Sequence, residues 1–315
     1  MFQSYDLQNF GNELRKIRKN CGYTQKDIQR LTGLNTDTLR KIENGHVIPK
    51  YETMEVLSII YRYDLLRLLI QHRNESFMLD FSTKMDRILL ENDTDSIENM
   101  IDAFQKFKAQ SDRYSKFVFN IHINQYEQFI YIIDEYYNSP APNFEAIKTN
   151  LIKVMRLTIP EFQIELMEAF RYNFFEMRVL MLIAETLRRT DQLVDAIRMF
   201  TITLDGLMIT PVDEANNHEL ILKTFFLLAY CHHTADDDSN AFKTANEGIA
   251  FARRLHSAYC LPQLLFRKGV SERFLGKEEY KDTIQMSINL LHIMGHDELA
   301  ETYKQVSVDH YDMKF

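Results

Sequence analysis

The sequence predicts an all-α protein, and three observations support that fold class. Glycine and proline are scarce, with nine and six in 315 residues, whereas good helix formers such as Leu, Ile, Met, Glu, Lys and Gln recur throughout. Apolar residues return at the i, i+3/i+4 spacing of a helix face along most of the chain. No comparable run alternates apolar and polar residues as a half-buried strand would. We therefore expect a small N-terminal helical cluster followed by a series of helical hairpins.

The charge is unevenly distributed along the chain. The whole sequence has 37 basic and 45 acidic residues, for a net charge of −8. Residues 1–50 contain nine Lys/Arg and five Asp/Glu, or +4, which leaves 28 and 40, or −12, for the rest. A basic N-terminal part on an acidic body can bind a polyanion while the body is repelled from it. The pattern permits DNA binding without demonstrating it.

The cysteines and the apolar runs predict the compartment. Cys21, Cys231 and Cys260 are far apart and form no CxxC pair, so a reducing cytoplasm fits better than an oxidising one. The N-terminus has no basic, apolar leader, and the longest apolar runs are much shorter than the roughly 20 residues that span a bilayer. We expect a cytoplasmic protein without a membrane partner.

The first two helices can be read from caps and spacing. Residues 9–20 place Phe10, Leu14 and Ile17 on one helical face. A second helix begins after Thr24, which can form a capping box with Asp27. Its apolar residues are predicted to be buried, Leu31 included, and Gly33 provides a tight turn.

The third helix, residues 36–43, is capped by Asn35 and has one narrow apolar stripe, Leu39 and Ile42. Gly45 ends it, and residues 51–63 predict a fourth helix. Two helices joined by a tight glycine turn, the second with a polar outer face, form a helix-turn-helix, whose second helix enters the major groove of DNA. An ordinary solvated helix in a four-helix cluster explains the same local pattern equally well.

The run "TQKDIQRLTGLNTDTLRKIENG", residues 24–45, follows "RKIR" and resembles Xre-type or phage-repressor helix-turn-helix domains over about residues 8–66. The resemblance implies that Gln25 contacts a phosphate and braces the recognition helix, and that Arg18 and Glu43 form a structural pair. It also implies that Thr36, Asp37 and Lys41 face base edges and that Thr38 and Asn44 hold backbone phosphates. Arg40 either contacts a phosphate, which we predict, or neutralises Asp37 on the same helix, and Lys50 before the fourth helix is a further predicted DNA contact. Asp37 departs from the family pattern, because a carboxylate near phosphates is unfavourable unless it accepts a bond from cytosine or arginine.

Helical hairpins of about 35–45 residues follow, as expected of a solenoid. Their small and large residues alternate as in degenerate tetratricopeptide repeats, which they resemble. An Xre-type domain on such a body resembles the peptide-pheromone regulators of Gram-positive bacteria, the Rgg/PlcR/PrgX group. The resemblance implies a DNA-binding domain at 1–66, a connecting segment at 67–78, and a peptide-binding and dimerisation domain at 79–315. It also implies a homodimer on a palindromic operator, controlled by a short peptide.

The residues that would contact such a peptide are predicted from their polarity and their helices. Asn120, Asn124 and Gln128 share one helical face. Asn173 lies in an apolar stretch, and Lys223, Gln263 and Arg267 are on later helices expected to line an inner surface. Ordinary polar surface remains the alternative for each of them.

The sequence contains no motif for enzymatic chemistry. GxxxxGK[ST], GxSxG, HExxH and GxGxxG are all missing, so we predict neither an enzyme nor a cofactor. Residues 230–238, "YCHHTADDD", collect metal-ligating side chains, but adjacent ligands point to different sides of a helix and predict no metal site. The alternative function is a helical-repeat interaction module whose main partner is another protein.

Overall fold

The computed structural model describes residues 5–72, 76–91, 94–111, 117–209 and 217–311, without the side chains of 76–80, 109–111 and 117–120. The described residues form sixteen α-helices and one 3-10 helix, so the all-α prediction is confirmed. None of the described helices has the length and apolar character that crossing a bilayer requires.

The chain divides into two compact units, Met1–Thr83 and Lys84–Phe315, which we call the head and the body. The division falls a few residues from the predicted connecting segment at 67–78. The helices before that division are α1 (Leu7–Asn20), α2 (Gln25–Thr32), α3 (Thr36–Glu43), α4 (Tyr51–Tyr61) and α5 (Leu65–Gln71).

Helix α6 (Ser76–Glu91) crosses the division, and ten α-helices follow. These are α7 (Asp95–Ser111), α8 (Phe117–Asn138), α9 (Phe144–Arg156), α10 (Phe174–Arg189), α11 (Leu193–Ile209), α12 (Asn217–Thr234), α13 (Asp238–Leu255), α14 (Leu261–Phe274), α15 (Tyr280–Ile293) and α16 (Asp297–Tyr311).

The core of the head is made by the apolar stripes that the sequence shows. Phe10 and Leu14 of α1, Ile28 of α2 and Leu39 of α3 are fully buried, and Ile42 is nearly so. Leu31 is an exception: it is 49% exposed, so its predicted burial is wrong. Helix α2 is eight residues long, and Ile28 is its one buried residue.

Gly11 lets α1 approach the end of α3. A Cβ atom at this position would lie 2.6 Å from the carbonyl oxygens of both Ile42 and Glu43. Because these are backbone atoms, no side chain can move aside to make room. Glycine is therefore needed here for close packing.

Gly11→Ala is expected to destabilise the head by about 1–3 kcal/mol, because the two helices must separate. Hydrogen exchange of the α3 amides in the full chain measures this effect. Gly206→Ala is the matched control, since its Cβ would meet the flexible end of Met177. Equal protection of α3 in Gly11→Ala and the natural protein would contradict the packing argument.

The body is built from consecutive helical hairpins, α10–α11, α12–α13 and α14–α15, each packed on the next. Small residues lie fully buried between the paired helices: Ala196, Ala229, Ala241 and Ala245. At Gly269 an added Cβ would lie 2.5 Å from Cγ1 of Ile284. These small residues allow the close helix contacts that the sequence pattern predicts.

The helical apolar spacing of residues 161–189 predicts one long helix, but the structure has no α-helix over residues 161–173. It contains a 3-10 helix, Ile164–Ala169, and extended backbone at Phe170. Asn173 then caps α10, with its Oδ1 accepting from the backbone N–H of Glu176 while the Glu176 carboxylate accepts from that of Asn173. A capping box marks the N-terminus of a helix, so α10 begins at Phe174 although the apolar spacing continues on both sides of it.

A buried ion pair joins α6 to α10 within the body. Nε and Nη2 of Arg178 donate to the two carboxylate oxygens of Asp86 at 2.5 and 2.8 Å. The guanidinium group also lies 4.1 Å from the centre of the Phe174 ring. A bidentate pair of this kind fixes orientation as well as distance.

Candidate functional sites

Helices α2 and α3 are joined by a tight turn at residues 33–35, and capping interactions define the ends of both helices. Thr24 and Asp27 form the predicted capping box at the start of α2. Gly33 has a φ of +74° at the other end, a conformation that favours glycine. Oδ1 of Asn35 then accepts from the backbone N–H of Asp37 at 2.7 Å and starts α3. Residues close in sequence therefore determine where α2 begins and ends and where α3 begins.

Glu43 is the centre of a buried network behind α3. Its carboxylate, which is fully buried, accepts two hydrogen bonds from Arg18, at 2.6 and 3.0 Å. Gln25 Nε2 donates to the same carboxylate at 2.9 Å. This network joins α1, α2 and α3, so it sets the position of α3 in the head.

Arg15 extends that network to the end of α3. Its Nη2 donates to the backbone carbonyl of Glu43 at 3.2 Å and also to Oδ1 of Asn44. Cations at the C-terminus of a helix interact favourably with its unpaired carbonyl groups. Arg15 is a residue that the sequence reasoning did not identify.

Burial and hydrogen bonding shift the pKa of Glu43 in opposite directions. Burial alone raises the pKa of this carboxyl group, whereas hydrogen bonds from Arg18 and Gln25 and the charge of Arg18 lower it. The net result is a pKa below the ordinary value of 4.5. Glu43 is therefore a carboxylate at neutral pH and holds Arg18 as an ion pair.

The face of α3 that points away from the core is polar and accessible. Asp37, Thr38, Arg40 and Lys41 are exposed, and Thr36 is half-buried. Leu39 and Ile42 on the opposite face are buried. A short helix with this division can place polar side chains against the bases and phosphates of a major groove.

The other residues assigned to DNA contact occupy less open positions. Gln25 is held by Glu43, and Asn44 accepts from Arg15 through Oδ1. The Asn44 amide nitrogen can still donate to a phosphate. Lys50 is exposed at the start of α4, where its side chain makes no capping bond.

Asp37 forms ion pairs with two cations of its own helix. Its carboxylate lies 2.6 Å from Nη2 of Arg40 and 3.5 Å from Nζ of Lys41. All three side chains are more than half exposed, so each pair contributes little to stability. Asp37 instead reduces the positive charge of the surface that would meet DNA.

Asp37→Asn is expected to raise the affinity of the protein for random-sequence DNA several-fold, because it removes a negative charge near the phosphates. The slope of log K against log salt should steepen by about 1. Fluorescence anisotropy over a salt series measures both. Asp205→Asn, an exposed position on α11, makes the same change in net charge and should leave the affinity unaltered; an equal rise there would show a general charge effect.

The body contains a cavity of about 590 Å³ between successive hairpins. Most of its lining comes from one face of α10 and one face of α12, with spacings of three and four residues. The end of α8, the start of α9, Leu89 of α6 and the connecting residues Thr94 and Pro142 provide the rest. Apolar and aromatic side chains predominate, together with Glu185, Arg188, Arg189 and Lys223. Its volume and mixed lining are those of a small-ligand site.

The structure brings some of the predicted peptide-contact residues together. Lys223 lines the cavity, and its ammonium group donates to the backbone carbonyls of Leu89 and Leu90, the latter at 3.2 Å. The guanidinium group of Arg267 lies 4.3 Å from the ring centre of Tyr230, which also lines the cavity. Gln263 is one helical turn before Arg267 on α14.

The other predicted peptide contacts lie elsewhere. Asn124 and Gln128 are exposed on α8 and do not line the cavity. Asn173 is engaged in the capping box of α10, so its side chain has a structural partner. The side chain of Asn120 lies outside those described.

Residues 230–238 join α12 to α13 through two histidine–aspartate pairs. Nδ1 of His233 lies 2.7 Å from Oδ1 of Asp238, and Nδ1 of His232 lies 3.4 Å from Oδ2 of Asp237. Asp237 also caps α13. Among the side chains described here, no group of three or more His, Cys, Asp or Glu residues is arranged to hold a metal ion.

Comparison with known protein families agrees with the helix-turn-helix geometry of the head. The helix-turn-helix family model matches residues 14–68. No curated protein sequence matches the chain at a significant level. The wider similarity is therefore one of structure.

Three solved structures of bacterial regulators share the fold at low sequence identity. PlcR from Bacillus thuringiensis, in complex with the peptide PapR7 and DNA, has a TM-score of 0.65 at 15% identity and covers 93% of this chain and 99% of its own. The SHP pheromone receptor Rgg2 from Streptococcus dysgalactiae has a TM-score of 0.59 at 12% identity, covering 97% and 99%. ComR from S. thermophilus, in complex with DNA and its signalling peptide ComS, has a TM-score of 0.55 at 12% identity, covering 95% and 99%.

These similarities extend over both compact units of the chain. The protein therefore carries a helix-turn-helix domain at residues 14–68 and shares, over nearly its whole length, the fold of the peptide-pheromone regulators.

Proposed function

We propose that this protein is a cytoplasmic transcription regulator whose α3 binds the major groove of a DNA operator. The observation that carries the proposal is the division of α3 into a buried apolar face and an exposed face with Thr38, Arg40 and Lys41. The buried network around Glu43 supports it, since a recognition helix must be held rigidly to read bases. Charge supports it as well, because residues 1–50 carry a net +4.

The body is proposed to bind a short peptide in the cavity between α10 and α12. Its volume and its mixture of aromatic, aliphatic and charged side chains suit a peptide segment. PlcR and ComR, which share the fold, were each solved with a peptide and DNA. Peptide binding would favour one of two arrangements of a homodimer and so set the spacing of its two DNA-binding helices.

Repeated selection of genomic DNA fragments by the full-length protein tests the DNA part of the proposal. We expect enrichment of fragments that share a palindromic sequence, with two protein chains per fragment. Addition of extracellular peptides from the same cells should then change the affinity for the enriched DNA. Recovery of random fragments only would contradict the proposed function, and enrichment that no peptide modulates would favour an interaction module with a protein partner.

A further inference from the structure

The turn that follows α3 is packed tightly against α1. Gly45, in this turn, has a φ of +70°, and a Cβ atom there would lie 2.7 Å from the backbone carbonyl group of Leu7. Gly11 makes a similar close contact with the backbone carbonyl group of Glu43. Contacts between backbone atoms leave little room for adjustment. The backbone of Asn44, between Glu43 and Gly45, is therefore held in place by α1.

Asn44 lies on the side of α3 that is proposed to meet DNA. It follows Arg40 and Lys41 by four and three residues, a spacing that makes residues neighbours on a helix surface. Both cations are exposed, and Asn44 is half-buried. Its backbone N–H donates to the carbonyl oxygen of Arg40 at 3.0 Å. The side-chain amide therefore provides the N–H groups that Asn44 can offer to a phosphate.

Arg15 contacts the oxygen end of that amide. Its Nη2 donates to Oδ1 of Asn44 and, at 3.2 Å, to the backbone carbonyl of Glu43, and its Nε lies 3.4 Å from Oε2 of Glu43. A guanidinium group has only N–H donors, so a reversed amide would place its N–H groups against those of Arg15. The cation thus keeps Oδ1 of Asn44 turned toward α1 and leaves Nδ2 to point away from it.

We propose that Arg15 is a positioning residue for DNA binding, because it orients the Asn44 amide so that Nδ2 donates to a backbone phosphate. The inference rests on the proposed function and adds a residue of α1 to the DNA-binding site. Without Arg15 the amide is free to reverse, and its oxygen then faces a negatively charged group. A phosphate contact carries no sequence information, so its loss should weaken binding to the operator and to random-sequence DNA by the same factor.

A double-mutant cycle on the full-length protein, with Arg15→Gln and Asn44→Ala, tests this inference. Fluorescence anisotropy over a salt series measures the affinity of each variant for a random-sequence duplex and for the selected operator. Asn44→Ala should weaken both about tenfold, through the loss of one hydrogen bond to a charged group, without changing the slope of log K against log salt. Arg15→Gln should weaken both several-fold in the natural protein, and should add no specific loss to Asn44→Ala.

Lys16→Gln is the matched control in both backgrounds, since Lys16 is exposed on α1 and the change in net charge is identical. We expect Arg15→Gln to weaken binding more than Lys16→Gln in the natural protein and to the same extent in Asn44→Ala. The head should stay folded in Arg15→Gln, because the Glu43 carboxylate keeps its bonds from Arg18 and Gln25. Hydrogen exchange of the α3 amides measures this.

The results that overturn the inference differ from those that contradict the proposed function. An equal specific loss from Arg15→Gln in both backgrounds would overturn it. With a salt slope shallower by about 1, that loss would indicate a direct phosphate contact by Arg15, whose side chain is 35% exposed; with an unchanged slope, it would indicate a purely structural role. Unchanged affinity in Asn44→Ala would also overturn it. Failure of the natural protein to bind either duplex would contradict the proposed function itself.

Discussion

Glu43→Gln is expected to lower the free energy of unfolding of the head by about 3–5 kcal/mol, because it leaves the buried charge of Arg18 without its partner. The neutral amide has one acceptor oxygen where the carboxylate has two. With that oxygen at the Oε2 position, which accepts from Arg18 Nη2 and Gln25 Nε2, the amide NH2 group replaces Oε1 and faces the Nε–H of Arg18, so that bond is lost. Since the network joins three helices, α3 should lose its fixed position. DNA binding should fail together with the structure.

Hydrogen exchange of the full chain, resolved by segment, distinguishes this local effect from a general one. The amides of α3 and α1 should exchange faster by two orders of magnitude or more, as about 3 kcal/mol requires. Amides of α12 and α14 in the body should be unaffected. Glu52→Gln is the control, because Glu52 is exposed on α4; unchanged protection of α3 in Glu43→Gln would show that the network does not position the helix.

The same carboxylate predicts the acid sensitivity of the head. The pKa of Glu43 is lower in the folded protein than its ordinary value of 4.5, so the folded state prefers the deprotonated form. Its stabilising contribution is complete above about 4.5 and is lost as the pH falls through the lowered folded pKa. Replacing Glu43 should remove this part of the pH dependence.

The double substitution Arg40→Ala and Lys41→Ala is expected to weaken operator binding by about 2–4 kcal/mol, through the loss of two cations facing the groove. Both side chains are more than half exposed and pair with Asp37 on the surface, so the thermal stability should change little. Anisotropy titration of the selected operator measures the loss. The slope of log K against log salt should become shallower by about 1 for each phosphate contact removed.

Lys243→Ala with Arg253→Ala provides the matched control. Both positions are exposed on α13 of the body, and the change in net charge is identical. This control should keep the natural affinity. If it loses as much affinity as the α3 variant, the effect is one of overall charge and α3 is not the recognition element.

Periodicity and caps were sufficient to predict the head almost completely. Leu39 and Ile42 identified the buried face of α3, and Thr24, Asn35 and Gly33 identified helix ends, because each signal is local. Leu31 was assigned wrongly, since its spacing fits the stripe and only tertiary packing decides which residues of a short helix are covered. Arg15 was not found because its partners, Glu43 and Asn44, are 28 and 29 residues away.

The cavity of the body was much less predictable. Lys223 and Arg267 were named from their polarity and their helices, but Arg188 and Tyr230 became visible only when three hairpins were stacked. Asn173 is predicted to contact a ligand from its polar character in an apolar stretch, whereas in the structure its side chain caps α10. The spacing of Asn173 and Glu176 is that of a capping box, and this local signal favours a helix cap over a ligand contact for Asn173.

The most direct test of α3 as a DNA-reading helix is the affinity of the full-length protein for its selected operator and for a shuffled duplex of equal length. Anisotropy titrations over a salt series should show at least about a hundredfold preference for the operator and a linear fall of log K with log salt for both duplexes. The preference should disappear in the Arg40→Ala, Lys41→Ala variant while its folded helices persist. Equal affinity of the natural protein for the two duplexes at every salt concentration would contradict the account.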